Sequence, residues 1–201
     1  VERVLPADAA EQTWVFVGVP ERPVPSLLRD FSAPVVLDYD YSDTELLTLL
    51  AHDGDAFNRW EAGQRLMLRI AINAIADSTI TEGANGQVDQ NLLPDALVQA
   101  MRAVLRHPQL DAAFKELVLT LPSESYIAEQ LTQVDPQRVH AVREALRLQL
   151  ALSLQADWAW AWDEHQASGA YRPDATSSGR RALAGLALAM LCLAARATGD
   201  E

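Results

Sequence analysis

No disulfide can form within this chain, because Cys192 is its only cysteine, and a lone thiol gives no metal-binding spacing. It stands in Leu191-Cys192-Leu193, so the simplest reading is a small buried apolar side chain and not a reactive thiol. A reducing compartment is permitted, and a cytoplasmic location is the expectation. Positive charge is scarce: 16 Lys and Arg stand against 28 Asp and Glu, a formal net charge of −12. Such a surface repels phosphate backbones and anionic lipids, which argues against nucleic-acid and membrane partners. Long hydrophobic runs are also missing. The longest apolar stretch, 182–195, is too short to span a bilayer and suits a buried helix. The opening residues are charged and contain no apolar signal segment.

Catalytic signatures are absent as well. Zinc hydrolases carry His-Glu-x-x-His, because imidazoles at i and i+4 share one helix face; the chain does not contain it. Its histidines are His52, His107, His140 and His165. His140 and Glu144 have i,i+4 spacing, but catalytic zinc needs three protein ligands, so a surface pair is the better account. Asp163, Glu164 and His165 are consecutive, and neighbours on a helix point in different directions. No Gly-x-Ser-x-Gly elbow surrounds a serine; Ser123 and Ser125 read as helix-capping residues. The glycines at 83 and 86 lack the spacing of a phosphate loop. No catalytic, cofactor-binding or metal-ligating residue is therefore assigned, and a hydrolase built around His140 or His165 is the least supported reading.

What is present is apolar material, 49% of the residues, enough for the core of one ordinary domain or of a small domain attached to part of another. Residues 1–41 read as strands. Thr13-Trp14-Val15-Phe16-Val17 and Pro34-Val35-Val36-Leu37-Asp38-Tyr39 are β-branched and aromatic runs, and Ser26-Leu27-Leu28 suits a third. Pro20, Pro23 and Pro25 forbid a helix between them. Two or three strands do not form an independently stable sheet, so this segment needs partners.

From residue 42 the pattern turns helical. Ser42-Asp43-Thr44-Glu45 is a capping box ahead of Leu46, Leu47, Leu49 and Leu50. A second helix spans 55–77, with Phe57, Trp60, Met67, Ile70 and Ala74 on one stripe. Residues 78–91 form a loop with a turn at Asn85-Gly86. A third helix starts near Pro94, buries Leu97, Met101, Val104 and Leu105, and stops at His107-Pro108. Shorter helices follow at 110–120 and 123–132. Asp135-Pro136 opens a helix expected to reach Gln166, roughly 45 Å at about 1.5 Å per residue. Its leucines at 146, 148, 150, 152 and 154 alternate with period two, as do Trp158, Trp160 and Trp162. Helix is still favoured, because no β-branched residue occurs over 143–166. Leucines so placed predict a central helix buried on most sides. Ser168-Gly169 and Pro173 break the chain, and a last helix spans 177–198 with Gly199 as its cap. It is apolar all round and requires neighbours on every side. The tryptophans read as packing residues; Arg143, Arg147, Arg180 and Arg181 read as solvated, with carboxylate binding as the alternative.

The expected fold is mostly α: a few N-terminal β-strands, then an α-solenoid or helical-bundle array of paired helices. Residues 1–41 are expected to be the end of a β-sandwich domain and 42–201 the first part of a helical domain. Both ends look cut from a longer fold.

A resemblance agrees with this. The words Glu11-Gln12-Thr13-Trp14-Val15-Phe16, Pro23-Val24-Pro25-Ser26-Leu27-Leu28-Arg29-Asp30-Phe31-Ser32-Ala33-Pro34-Val35 and Asp55-Ala56-Phe57-Asn58-Arg59-Trp60-Glu61-Ala62-Gly63-Gln64 are similar to the bacterial aminopeptidase N family of M1 zinc metallopeptidases. Looser matches at 119–123, 135–136 and 142–146 keep the family's order. The resemblance implies a parent that removes N-terminal amino acids from peptides by metal-activated water. It implies zinc in the parent and none in this part, which lacks the His-Glu-x-x-His and Gly-x-Met-Glu-Asn motifs. This part would wall or cover the substrate chamber, with the parent's catalytic domain and its peptide substrates as partners. The alternative is a stand-alone helical module that binds a peptide or protein. The pattern at Trp158, Trp160 and Trp162 departs from the family, and no role is assigned to it.

Overall fold

The computed structural model describes residues 3–6, 8–80, 83, 88, 90–166 and 169–199. The turn expected at Asn85-Gly86, and Ser168, lie outside these residues.

Among the described residues eight α-helices follow one another: α1 Asp43–His52, α2 Ala56–Ala76, α3 Asp95–Arg106, α4 Ala112–Leu119, α5 Glu124–Glu129, α6 Pro136–Ser153, α7 Gln155–His165 and α8 Ala175–Thr198. Their starts are chemical. In α1 the Ser42 Oγ accepts from the Glu45 amide at 3.3 Å while the Glu45 carboxylate accepts from the Ser42 amide at 2.9 Å. Asp55, Asp111, Ser123, Asp135 and Asp174 each accept from a first-turn amide. Pro94 stands as an N-cap and Pro136 just inside the first turn. Gly199, at φ 75°, ends α8 in the left-handed conformation.

The helices pack as pairs: α1 on α2, α7 on α8, and α8 across α4 and α6. One continuous core results. Leu46, Leu50, Leu97, Met101, Leu105, Leu119, Ile127, Leu146, Leu154, Trp158, Leu183 and Met190 are essentially sealed from solvent within it.

The strand expectation is overturned: among the described residues there is no β-strand, and the protein is mostly α with paired-helix contacts. A strand exists only through a ladder, and among the described residues no ladder partner lies beside residues 8–41. Their backbone-to-backbone bonds are local instead, such as the Val35 amide to the Ala33 carbonyl at 3.0 Å. Val36 is 97% exposed and Val15 and Val17 nearly as open, so the β-branched residues find no second layer to cover them.

The single long helix is also two. It breaks at Leu154, whose φ of −115° and ψ of 20° end α6 and start α7. The break lets Leu154 and Trp158 both reach full burial. The period-two leucines then separate: Leu146, Leu150 and Leu154 form a buried i,i+4 stripe, while Leu148 is half-buried and Leu152 lies outside. The helix is one-sided, not central. In α2 the buried stripe is Ala62, Leu66, Met67, Ala71 and Ala74; Phe57, Trp60 and Ile70 sit at its edge.

Burial of Cys192 is corrected too: it is exposed. The helix that carries it is long and apolar enough to cross a membrane by length and composition, but here it rests on α4, α6 and α7 through one face. That face is Gly179, Leu183, Ala187, Met190 and Ala194, and Cys192 lies off it.

Candidate functional site

A mostly apolar open groove lies where α2, α4 and α5 meet. Trp60 and Gln64 from α2, Leu117 and Thr120 at the end of α4, and Pro122 and Tyr126 at α5 line this groove of about 490 Å³. Pro122 stops α4 from running on, and Ser123 restarts the chain as α5 by accepting from the Tyr126 amide at 3.1 Å. Gln64 Nε2 donates to the Thr120 carbonyl at 3.0 Å and fixes α2 against α4. An aromatic row extends the groove: Phe57 lies 5.6 Å from Trp60 and 4.6 Å from Phe31, ring centre to ring centre. Phe31 is 71% exposed, Leu117 50% and Tyr126 45%. Contiguous exposed rings of this kind mark contact surfaces. Its hydroxyls are tied to helix ends: Thr120 Oγ1 donates to the Glu116 carbonyl at 2.8 Å, with the Glu116 carboxylate at 3.3 Å, and Ser123 caps α5.

Phe31 is held there by a buried polar junction at the head of α2. Asp53 accepts from Arg29 Nη1 at 2.7 Å and from the Asp55 amide at 2.9 Å, and its carbonyl accepts from Arg59 Nε at 3.0 Å. The Asp55 carboxylate accepts from the Asn58 amide at 2.8 Å and the Asp30 amide at 2.9 Å. Burial raises the Asp55 pKa, but those amides outweigh it and hold the carboxyl below its ordinary range. Burial lowers the pKa of the Arg59 guanidinium, against the opposing pull of Asp53. Asn58 Nδ2 donates to Ser26 Oγ and to the Leu27 carbonyl, both at 2.9 Å. Tyr41 donates its hydroxyl to the Pro25 carbonyl at 2.8 Å, and burial pushes its pKa up to about 12. Leu28, Asp30 and Phe31 all have φ near 52°, a left-handed turn without glycine, sustained only because so many bonds fix it.

A second polar cluster joins α3, α4 and α7. Asp157 receives Arg102 Nε at 2.8 Å and Arg106 Nε at 2.7 Å. The Arg106 guanidinium lies 4.2 Å from the Trp160 ring centre, and Lys115 Nζ 5.8 Å from the same ring. Lys115 is buried, which lowers its pKa.

The candidates from sequence do not converge. His140 Nδ1 pairs with Glu124 at 2.8 Å and not with Glu144, which takes Arg143 at 3.1 Å and Arg147 at 3.2 Å. His165 is buried with Nδ1 3.0 Å from the Ala161 carbonyl, and burial lowers its pKa; Asp163 and Glu164 face outward. Trp158 is a core residue whose Nε1 donates to the Leu150 carbonyl at 3.3 Å, while Trp160 and Trp162 are half-buried. Among the described residues, no three His, Cys, Asp or Glu side chains lie together in a way that could hold a metal ion. Sequence reasoning missed the Asp53–Arg59 junction and Lys115. The Asp55-x-x-Asn58 capping spacing marked the first; nothing local marked the second.

Residues 43–201 match the family described as "Domain of unknown function (DUF3458_C) ARM repeats", and residues 1–40 match "Domain of unknown function (DUF3458) Ig-like fold". The aminopeptidase N of Caulobacter vibrioides is 38% identical over 176 residues, 88% of this chain and 19% of that protein. The aminopeptidase N of Escherichia coli is 42% identical over 153 residues, 75% of this chain and 17% of that protein. Among solved structures, aminopeptidase A of Legionella pneumophila in complex with aspartic acid superposes with a TM-score of 0.73 at 25% identity. That match covers 91% of this chain and 21% of the other. The chain spans about a fifth of the length of the curated relatives it matches. It belongs to the DUF3458_C family of ARM repeats over residues 43–201 and, over most of its length, is homologous to the M1-family aminopeptidase N.

Proposed function

We propose that this chain is a non-catalytic, helical part of a zinc-dependent aminopeptidase N, and that it walls or covers the substrate chamber of that enzyme. One observation carries the reading: the chain is homologous to aminopeptidase N over 88% of its residues, yet its own described residues offer recognition surfaces and no converging catalytic groups. The zinc, the activated water and the cleavage of N-terminal residues belong to the rest of the parent. The groove beside Trp60 and Tyr126 is the surface this part presents to the catalytic domain or to the peptide.

A photo-crosslinking residue in place of Tyr126 in the full-length protein tests the reading. The expected adduct is with the protein's own catalytic domain or with a bound peptide; labelling of neither overturns the wall assignment. Separately, the 201-residue chain alone is expected to release no amino acid from peptide amides. Turnover by it, with one zinc per chain, overturns the non-catalytic assignment. A cytoplasmic location goes with this reading, and release of the protein by osmotic shock counts against it. The exposed aromatic row also suits a stand-alone peptide-binding module; in that case the crosslink goes to a separate polypeptide.

A further inference from the structure

In a chain with a surplus of acid, three arginines line one open cavity of about 500 Å³ between the end of α7 and the start of α8. Arg180 and Arg181 come from the second turn of α8, and Arg172 from the segment ahead of it. Arg181 donates through Nη1 to the Arg172 carbonyl at 3.0 Å and through Nη2 to Ser178 Oγ at 2.9 Å. Its guanidinium lies 4.7 Å from the centre of the Tyr171 ring. Arg180 donates to the Glu164 carbonyl. Among the described residues no salt bridge ties either to a carboxylate, although Arg181 lies near enough to Asp174 to lower its pKa, and the bonds above occupy a minority of their N–H donors. Arg172 faces Asp174 at 3.4 Å with a side chain 78% exposed.

The end of α8 is not itself the site, since Asp174 already accepts from the Ser177 amide at 2.9 Å. What distinguishes the cavity is two guanidiniums on its wall, each anchored by neutral atoms, with Tyr171 stacked on one of them. Anchoring removes much of the rotamer entropy that an arginine loses on binding. A planar guanidinium matches a planar carboxylate through two parallel N–H···O bonds. The volume lies in the range of small-ligand pockets, about 300–1,000 Å³.

We propose that this cavity is a carboxylate-binding site, in which Arg180 and Arg181 hold the acid group against the Tyr171 wall and Arg172 adds charge at the rim. The carboxylate comes from a small organic acid or from an acidic peptide segment.

The test is isothermal titration of the full-length protein with three probes: succinate, N-acetylated tetraglutamate and inorganic phosphate. The acetyl group leaves no free amino terminus for a peptidase centre to grip. Binding of succinate alone identifies a free acid, and binding of the peptide identifies an acidic segment; either supports the site if Arg181→Gln weakens it about tenfold or more and Arg180→Gln weakens it too. Arg172→Gln changes a residue tied only to Asp174 and to its own carbonyl's partner, so it keeps the fold and is expected to weaken binding a few-fold. It serves as the readout if thermal melting shows that either α8 variant unfolds. Binding of phosphate without either carboxylate overturns the proposal. So does carboxylate binding that all three folded variants leave unchanged, or no carboxylate binding at all.

Discussion

Asp157 shows how a single residue can be more consequential than its surroundings in sequence suggest. Burial raises its pKa, but the hydrogen bonds from Arg102 and Arg106 outweigh this and hold it below the ordinary carboxylate value. A group with a lowered folded pKa contributes stability above its unfolded value, about 3.9, and loses it as pH falls through the folded one. Urea midpoints measured from pH 7 to pH 3 should therefore drop on the acid side. Asp157→Asn should lie lower at pH 7, by about 1–3 kcal/mol, and approach the parent as pH falls; parallel curves would show that Asp157 is not coupled. His165, buried with a lowered pKa, adds a milder loss as pH falls below about 6.5. The tryptophans should separate in the same assay. Trp158→Ala removes a sealed ring and should cost about 3–5 kcal/mol. Trp160→Ala should cost clearly less, since that ring is half-exposed and holds mainly the Arg106 stack.

Elements meet at distances set by small residues. A Cβ on Gly179 would stand 2.8 Å from the Ala113 amide nitrogen and 2.9 Å from its Cβ, so α8 touches the backbone of α4 there. Gly179→Ala should push the two helices apart and destabilise by about 1–3 kcal/mol. Gly185, six residues on in the same helix, has open space where its Cβ would be. Gly185→Ala should stabilise by about 0.5–1 kcal/mol, because the helix gains propensity without a clash. Melting temperatures of the two variants should move in opposite directions; a shared direction would refute the α4–α8 approach. The same pair tests the finding that α8 is buried along one stripe and not all round.

Across the whole molecule, residues 8–21 lie exposed and residues 22–41 are tied down by the Asp53–Arg59 junction and by Tyr41. Removing residues 1–21 should change the urea midpoint little. Removing residues 1–41 takes away Tyr41 and uncovers Asp53, Asp55 and Arg59, and should lower stability sharply, because partly satisfied buried charge is costly. Equal effects of the two deletions would contradict the role of the junction.

Helix starts were legible at Ser42, Asp55, Ser123 and Asp135, because a cap is chemistry between residues two or three apart and needs nothing from elsewhere in the chain. The Gly199 cap was legible for the same reason, and so was the α3 face, where apolar spacing alone fixes the buried side. The family relation was carried by the words around Trp14 and Trp60. The strand expectation over 1–41 failed because a β-branched run specifies only a tendency; a ladder partner makes it a strand, and the described residues contain none. The break at Leu154 and the exposure of Cys192 were invisible because each depends on which neighbours claim a helix face. The groove at Tyr126 lay further still from sequence, because its residues are tens of positions apart and meet only once α2 lies on α4; Arg180 and Arg181 were named in the sequence with carboxylate binding as the alternative, and only their cavity needed the chain before α8 to fold back. Local chemistry thus set most helix starts, the Gly199 end and the buried face of α3, while long-range packing decided the break at Leu154 and which faces of α8 became surface.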